Sequence, residues 1–360
     1  MQNNQAIPFN KEDFKLIFSK EFGLVIIISI PAALLAEYLQ IPLAWFLGPM
    51  IITSILTLMG FKTKMPRIVL SSILIILGLY IGNYIDKNLF SQINQWFWTS
   101  LVMLGYIILS VLTVSKYLEK FSNYDKKTSI FSAAPGALGP LMILAENEKT
   151  DLSQVATSHL IRLIIIITVF PFVVNSFYNV PENEIIKVSL EEQNLYDLFF
   201  LVILSIFFIF IFDKLKLPAA LLSGTLVASG ILQITDVASY RLSPSVIDFS
   251  LLILGSSVGC RFANKTFSEI SKNAWHSFIA TILLVGLGLL SAFIASLLIE
   301  KNFFTLLLSY CPGGIYEVAV IAIFFDLDPE FVSFHHIIRL LMILFIVPII
   351  LKIISKKKPA

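Results

Sequence analysis

The second half of this chain repeats the first. Ser132-Ala133-Ala134-Pro135-Gly136-Ala137 returns as Ser309-Tyr310-Cys311-Pro312-Gly313-Gly314. At the same offset of 177 positions, Asp151 falls on Asp328, His159 on His336, Arg162 on Arg339 and Pro171 on Pro348. Gly78 and Gly82 fall on Gly255 and Gly259, and one residue of slip brings Glu37 to Pro42 onto Asp213 to Pro218. Most of these matches are Gly, Pro, His, Arg or acidic residues inside apolar runs, which shared greasy composition would not align. The chain is 57% hydrophobic and 14% charged, with a mean hydropathy of +0.86; a soluble domain carries about 25% charged residues. The sequence therefore reads as a duplicated integral membrane protein, and such proteins place their site between the two repeats.

Continuous apolar runs close to 20 residues long exclude the alternating strands of a membrane barrel and predict an all-α polytopic protein. Twelve segments are expected, six per half: 23–39, 41–60, 66–84, 96–115, 129–145 and 153–178, then 196–212, 217–235, 245–263, 273–298, 303–325 and 330–352. Residues 1–22 form a cytoplasmic N-terminal segment, 23–178 the first repeat, 179–195 a linker, 196–352 the second repeat and 353–360 a basic cytoplasmic tail. The fifth segment of each half is interrupted, by Pro135, Gly136, Gly139 and Pro140 in one and by Pro312, Gly313 and Gly314 in the other. Both residue types break helices, and broken backbone at membrane depth survives only against protein or a wet cavity. Each is expected to be a discontinuous helix or a re-entrant hairpin. If neither fifth segment crosses, fewer Lys and Arg are left outside, which the positive-inside rule prefers. Each half then crosses five times and the repeats are inverted.

Those breaks are the first candidate site, because a helix that restarts after one points backbone N–H groups and about half a positive charge at a ligand. His159 and Arg162, and His336 and Arg339, are three residues apart and share a helix face. An arginine within the membrane is costly unless it faces protein, water or a partner charge. Glu317 is the acidic residue within the body of its apolar segment, directly after the Pro-Gly-Gly break, and its repeat counterpart is Pro140. It is a candidate to carry a coupling proton or cation, or to serve as a counter-ion to Arg339. The spacing of Gly78 and Gly82, and of Gly255 and Gly259, predicts close helix packing, within the subunit or in a homodimer. Neither a nucleotide loop nor a metalloprotease motif is present, and no soluble basic domain exists for nucleic acid. No cofactor, no metal and no disulfide are expected.

The run Cys311-Pro-Gly-Gly-Ile-Tyr-Glu317, followed by Asp328-Pro329, His335-His336, Arg339 and Pro348, resembles the second-repeat signature of the AbrB family of duplicated bacterial membrane proteins. Pro135-Gly136, Asp151, Ser158-His159, Arg162 and Pro171 form a degenerate copy of it in the first half. The resemblance covers nearly the whole chain. It implies residence in a bacterial cytoplasmic membrane; family labels include a regulator of gene expression and an ammonia monooxygenase. An oxygenase needs convergent metal ligands, and only His335 and His336 of the four histidines are neighbours in sequence. The family is also distantly similar to the cation-proton antiporter and anion transporter superfamily, whose broken helices usually cross the membrane, an implication at odds with the charge distribution. The expectation is a non-enzymatic permease for a small anionic or zwitterionic solute. It would bind between the two breaks, at Pro135, Gly136, Gly139, His159, Arg162, Pro312, Gly313, Gly314, Glu317, His336 and Arg339. The alternative is a membrane regulator that acts on gene expression indirectly.

Overall fold

The protein is all-α. The structure, a computed structural model, describes residues 11–85, 89–136, 138–178, 195–236, 242–263, 265 and 267–355. These form fifteen helices: α1 Lys11–Leu16, α2 Lys20–Tyr38, α3 Ala44–Leu58, α4 Arg67–Gly82, α5 Leu89–Phe121, α6 Lys126–Ala133, α7 Leu138–Asn147, α8 Leu152–Phe177, α9 Leu195–Lys214, α10 Ala220–Thr235, α11 Pro244–Cys260, α12 Phe267–Ser296, α13 Phe303–Tyr310, α14 Ile315–Phe324 and α15 Pro329–Ser355. Apart from Leu195, the expected linker at 179–195 lies outside the described residues, as does the tail from 356 onward. The helices follow the twelve apolar runs, with each fifth run split in two. Six are long and apolar enough to cross a membrane: Lys20–Tyr38, Gln95–Phe121, Leu152–Phe177, Tyr196–Lys214, Ala274–Ser296 and Pro329–Ile353. They are the first, fourth and sixth of each half.

The chain divides into two compact units, and each takes elements from both halves of the sequence. One comprises residues 1–90, 171–266 and 323–330; the other comprises 91–170, 267–322 and 331–360.

In the first unit the matched glycines explain the packing. A Cβ on Gly78 would stand 2.4 Å from the Leu222 carbonyl oxygen, and one on Gly82 2.7 Å from that of Leu226. The same atom on Gly255 would stand 2.2 Å from the Phe46 oxygen, and on Gly259 2.7 Å from Ser54 N. The third helix of each half thus lies backbone to backbone on the second helix of the other half. Both glycine pairs are used within the chain. Ser29, Thr53 and Ser256 form a buried hydroxyl seam beside them, with Ser29 Oγ 2.7 Å from Ser256 Oγ. α4 begins after Pro66, which offers no capping side chain, and the Asp13 carboxylate accepts Arg67 N at 3.1 Å and Ile68 N at 2.7 Å instead.

The second unit holds both interrupted segments. α6 and α13 have 8 residues each, and α7 and α14 have 10. At 1.5 Å per residue these are roughly 12 and 15 Å long, so none spans a hydrocarbon core of about 30 Å. Lys127, at the start of α6, pairs with Glu148, just after α7, at 2.6 Å. Asp151 N donates to Thr128 Oγ1 at 3.1 Å. The chain has therefore returned to its point of entry, and α6 with α7 is a hairpin. The Asp125 carboxylate, N-cap of α6, accepts Lys127 N at 2.9 Å and Thr128 N at 3.0 Å and closes its mouth. In the second half Asn302 caps α13 by accepting Phe304 N at 2.8 Å. The Lys301 ammonium lies over the Phe331 ring, 5.3 Å from its centroid, so α13 and α15 start together after α14 has turned back. In both halves the break thus joins two short helices that turn back on one another.

Candidate functional site

A half helix that ends inside a protein leaves its last four carbonyls without partners and about half a negative charge at its tip. In both hairpins a histidine and an arginine from the following long helix meet that need. In the first half His159 Nε2 donates to Phe131 O at 3.0 Å, and Arg162 donates from Nη1 to Ala134 O at 2.6 Å and from Nη2 to Ser132 O. In the second half His336 Nε2 donates to Leu308 O at 2.9 Å, and Arg339 donates from Nη1 to Cys311 O and from Nη2 to Gly313 O at 2.7 Å. The contacts advance by three residues on both partners, so the two helices of each pair run parallel. A carbonyl only accepts, so each histidine carries its proton on Nε2. That leaves His336 Nδ1 free to accept from Arg339 Nη2 at 3.1 Å.

The two hairpin tips adjoin. Gly136 has φ +96°, and a Cβ there would stand 2.7 Å from Arg339 Nη2. Arg162 and Arg339 lie within electrostatic reach of each other, and both are buried. Neither forms an ion pair with a described carboxylate; their Nη groups are engaged by carbonyls, and their Nε atoms have no partner. Glu317 is buried in the third position of α14, and its Oε2 would stand 1.9 Å from a Cβ on Gly314. A glutamate at that position folded back over the residue before the helix has the placement of a capping box. Pro135, Pro312 and Gly313 lie in the two breaks, while Gly139 and Pro140 lie in the first turn of α7.

Around the tips, Tyr106 and Tyr310 meet edge to face with centroids 6.2 Å apart, and the Tyr310 hydroxyl donates to Thr99 O at 2.8 Å. His335 does not join His336. Its ring packs on Phe331 at 4.1 Å and lies 2.7 Å from Thr99 Oγ1, making it part of an aromatic wall. No group of three or more metal-binding side chains occurs among the described residues, and Cys260 and Cys311 are both free thiols. A cavity of about 370 Å³, lined by Glu37, Pro42, Trp45, Asp248 and others, belongs to the first unit and includes none of these residues.

Sequence reasoning did not assign the mouth residues. Asp125 and Asn302, and Thr128 and Thr305, occupy matched positions just before and within the half helices. The Asp-to-Asn change hid the first pair from a search for identities.

Fold and site together define a multi-pass helical membrane protein with two interrupted hairpins, each braced by a buried arginine. Residues 45–355 match the family described as "Transition state regulatory protein AbrB", and the chain belongs to that family. It is 24% identical over 290 residues to "Uncharacterized protein YhjN" of Bacillus subtilis (strain 168), covering 76% of this chain and 75% of that one. It is 20% identical over 343 residues to "Putative regulator AbrB" of Escherichia coli (strain K12), covering 94% and 98%. No solved structure matches.

Proposed function

We propose that this protein is a secondary transporter that carries a small anionic or zwitterionic solute across a bacterial cytoplasmic membrane and binds it at the paired hairpin tips. The observation that supports this reading is the burial of two guanidinium charges, Arg162 and Arg339, where the breaks adjoin, with Glu317 as the carboxylate at the second tip. A guanidinium held at depth by neutral carbonyls keeps its charge, and an anion would balance it. The N-termini of α7 and α14 add partial positive charge at the tips. In this reading Glu317 carries the coupling proton or cation.

The hairpin geometry supports a topology. Each half crosses five times and one hairpin dips from each side, so the repeats are oppositely oriented. Three basic residues, Lys126, Lys127 and Lys149, flank the first mouth, whereas Lys301 is the basic residue at the second. By the positive-inside rule the first mouth faces the cytoplasm, as do both termini. The reading is of a carrier, not an enzyme.

The test is flux of carboxylates and amino acids into proteoliposomes, with melting shifts of detergent-purified protein as the binding measure. Saturable flux of at least one anionic or zwitterionic solute is expected. A broad panel that gives neither flux nor a melting shift would overturn the reading. Glu317→Gln should keep solute exchange and lose accumulation driven by an imposed proton or cation gradient; accumulation at the wild-type level would remove Glu317 from the coupling role. The printed name of the Escherichia coli relative favours a second reading, a membrane regulator that influences gene expression indirectly. A transcript profile that changes in a null strain and is restored by a variant shown to be dead for flux would favour it.

A further inference from the structure

We infer that the two hairpins are not equivalent, and that a carboxylate of the solute docks on the first, against the Ser132 hydroxyl and the Nε–H of Arg162. The inference rests on the carrier reading above. It comes from comparing matched positions. A serine inside a helix can satisfy its hydroxyl by donating to the carbonyl four residues back. Ser309, in the second hairpin, does so, to Thr305 O at 2.8 Å. Ser132, its counterpart, does not. Its hydroxyl is fully buried and has no partner, and the same holds for Ser129 three residues earlier on that face of α6.

The restart of the second helix differs in the same sense. Glu317 folds over Gly314 at the start of α14, which brings a carboxylate of the protein's own to that positive end. In α7 the matched residue is Pro140, which supplies neither a carboxylate nor an N–H. Both arginines keep an unpartnered Nε–H, but in the second hairpin the matched serine is already engaged. What sets the first apart is the pair of buried hydroxyls, Ser129 and Ser132, that lie without a partner on the same hairpin as the Arg162 Nε–H.

The chemistry of those donors names the ligand class. Each Nη of Arg162 gives one of its two hydrogens to a carbonyl and the Nε–H has no partner, so the residue keeps N–H donors for a ligand. A single guanidinium charge, one or two hydroxyls and a helix N-terminus suit the single charge and compact oxygen pair of a carboxylate.

The experiment compares Ser132→Ala with Ser309→Ala in detergent-purified full-length protein. The probes are acetate, lactate, succinate and benzoate, with their amides as uncharged controls. Without solute, Ser132→Ala should melt no lower than wild type, since it removes a buried hydroxyl that has no partner, whereas Ser309→Ala should melt lower. With solute, Ser132→Ala should weaken carboxylate binding by roughly ten- to a hundredfold, and Ser309→Ala by less than about twofold. Amides should not bind. Carboxylate binding that survives in Ser132→Ala, or falls equally in both variants, would overturn the assignment to the first hairpin and leave the carrier reading standing. If no carboxylate binds wild type but another anion does, the ligand class is wrong. If nothing binds, both fall together.

Discussion

Gly136 and Gly314 are the tip glycines at which an added Cβ would meet a charged side chain. Gly136 combines φ +96° with the guanidinium of Arg339 at the place its Cβ would occupy, so relief would need both a backbone change and a displaced charge. Gly136→Ala should cost about 1–3 kcal/mol, the range for a residue held in a disfavoured backbone region, read as a lower melting temperature. Gly314→Ala is expected to act differently, by driving the Glu317 carboxylate off the start of α14; its signature is altered coupling rather than a large loss of stability. The arginines were legible in sequence as matched, buried-depth charges, but their role was not. Their partners are the carbonyls of residues 132, 134, 311 and 313, and a main-chain acceptor leaves no trace in residue identity. Arg339→Lys, which keeps the charge and loses the planar two-pronged donor, should therefore destabilise the second hairpin. A lysine variant that melts like wild type would indicate that charge alone suffices.

At the scale of the element, each hairpin is held at its tip by His and Arg and at its mouth by an N-cap. Asp125 feels burial, which raises its carboxyl pKa, but the hydrogen bonds from the Thr128 hydroxyl and from the Thr128 and Lys127 amides outweigh this and hold it below the usual carboxylate value. A carboxyl depressed in the folded state stabilises it above the unfolded value, about 3.9, and that contribution is lost as pH falls through the lower folded value. Asp125→Ala should accordingly cost about 1 kcal/mol at neutral pH, and the gap between variant and wild-type melting temperatures should close in strong acid. A gap that persists unchanged in acid would show that the carboxylate is not responsible. The helix order was readable from apolar runs and charged breaks because lipid imposes both. Whether a Pro-Gly break crosses or returns was not readable from the break itself. It is set by contacts such as Lys127 with Glu148, between residues separated by a whole hairpin.

At the scale of the whole molecule, the proposed opposite orientation of the repeats makes a prediction that single residues do not. Cysteines placed at Lys149 and Lys265 should be labelled from the cytoplasmic side, and one at Lys301 from the outside. Lys265 outside together with Lys301 inside would rule out the oppositely oriented arrangement. The glycine contacts of the first unit carry a further consequence, for biogenesis. α4 lies on α10 and α11 lies on α3, so each half supplies the surface that the other must bury. A polypeptide emerging from the ribosome therefore cannot finish this unit until its second half is in the membrane, and the first half must wait there with glycine-lined grooves facing lipid. Two separate chains, split within the linker, would meet the same surfaces in the same way. Co-expressed halves should reassemble into a protease-resistant complex, while either half alone should be degraded. A protein of half this length would need a second copy of itself to bury the same surfaces.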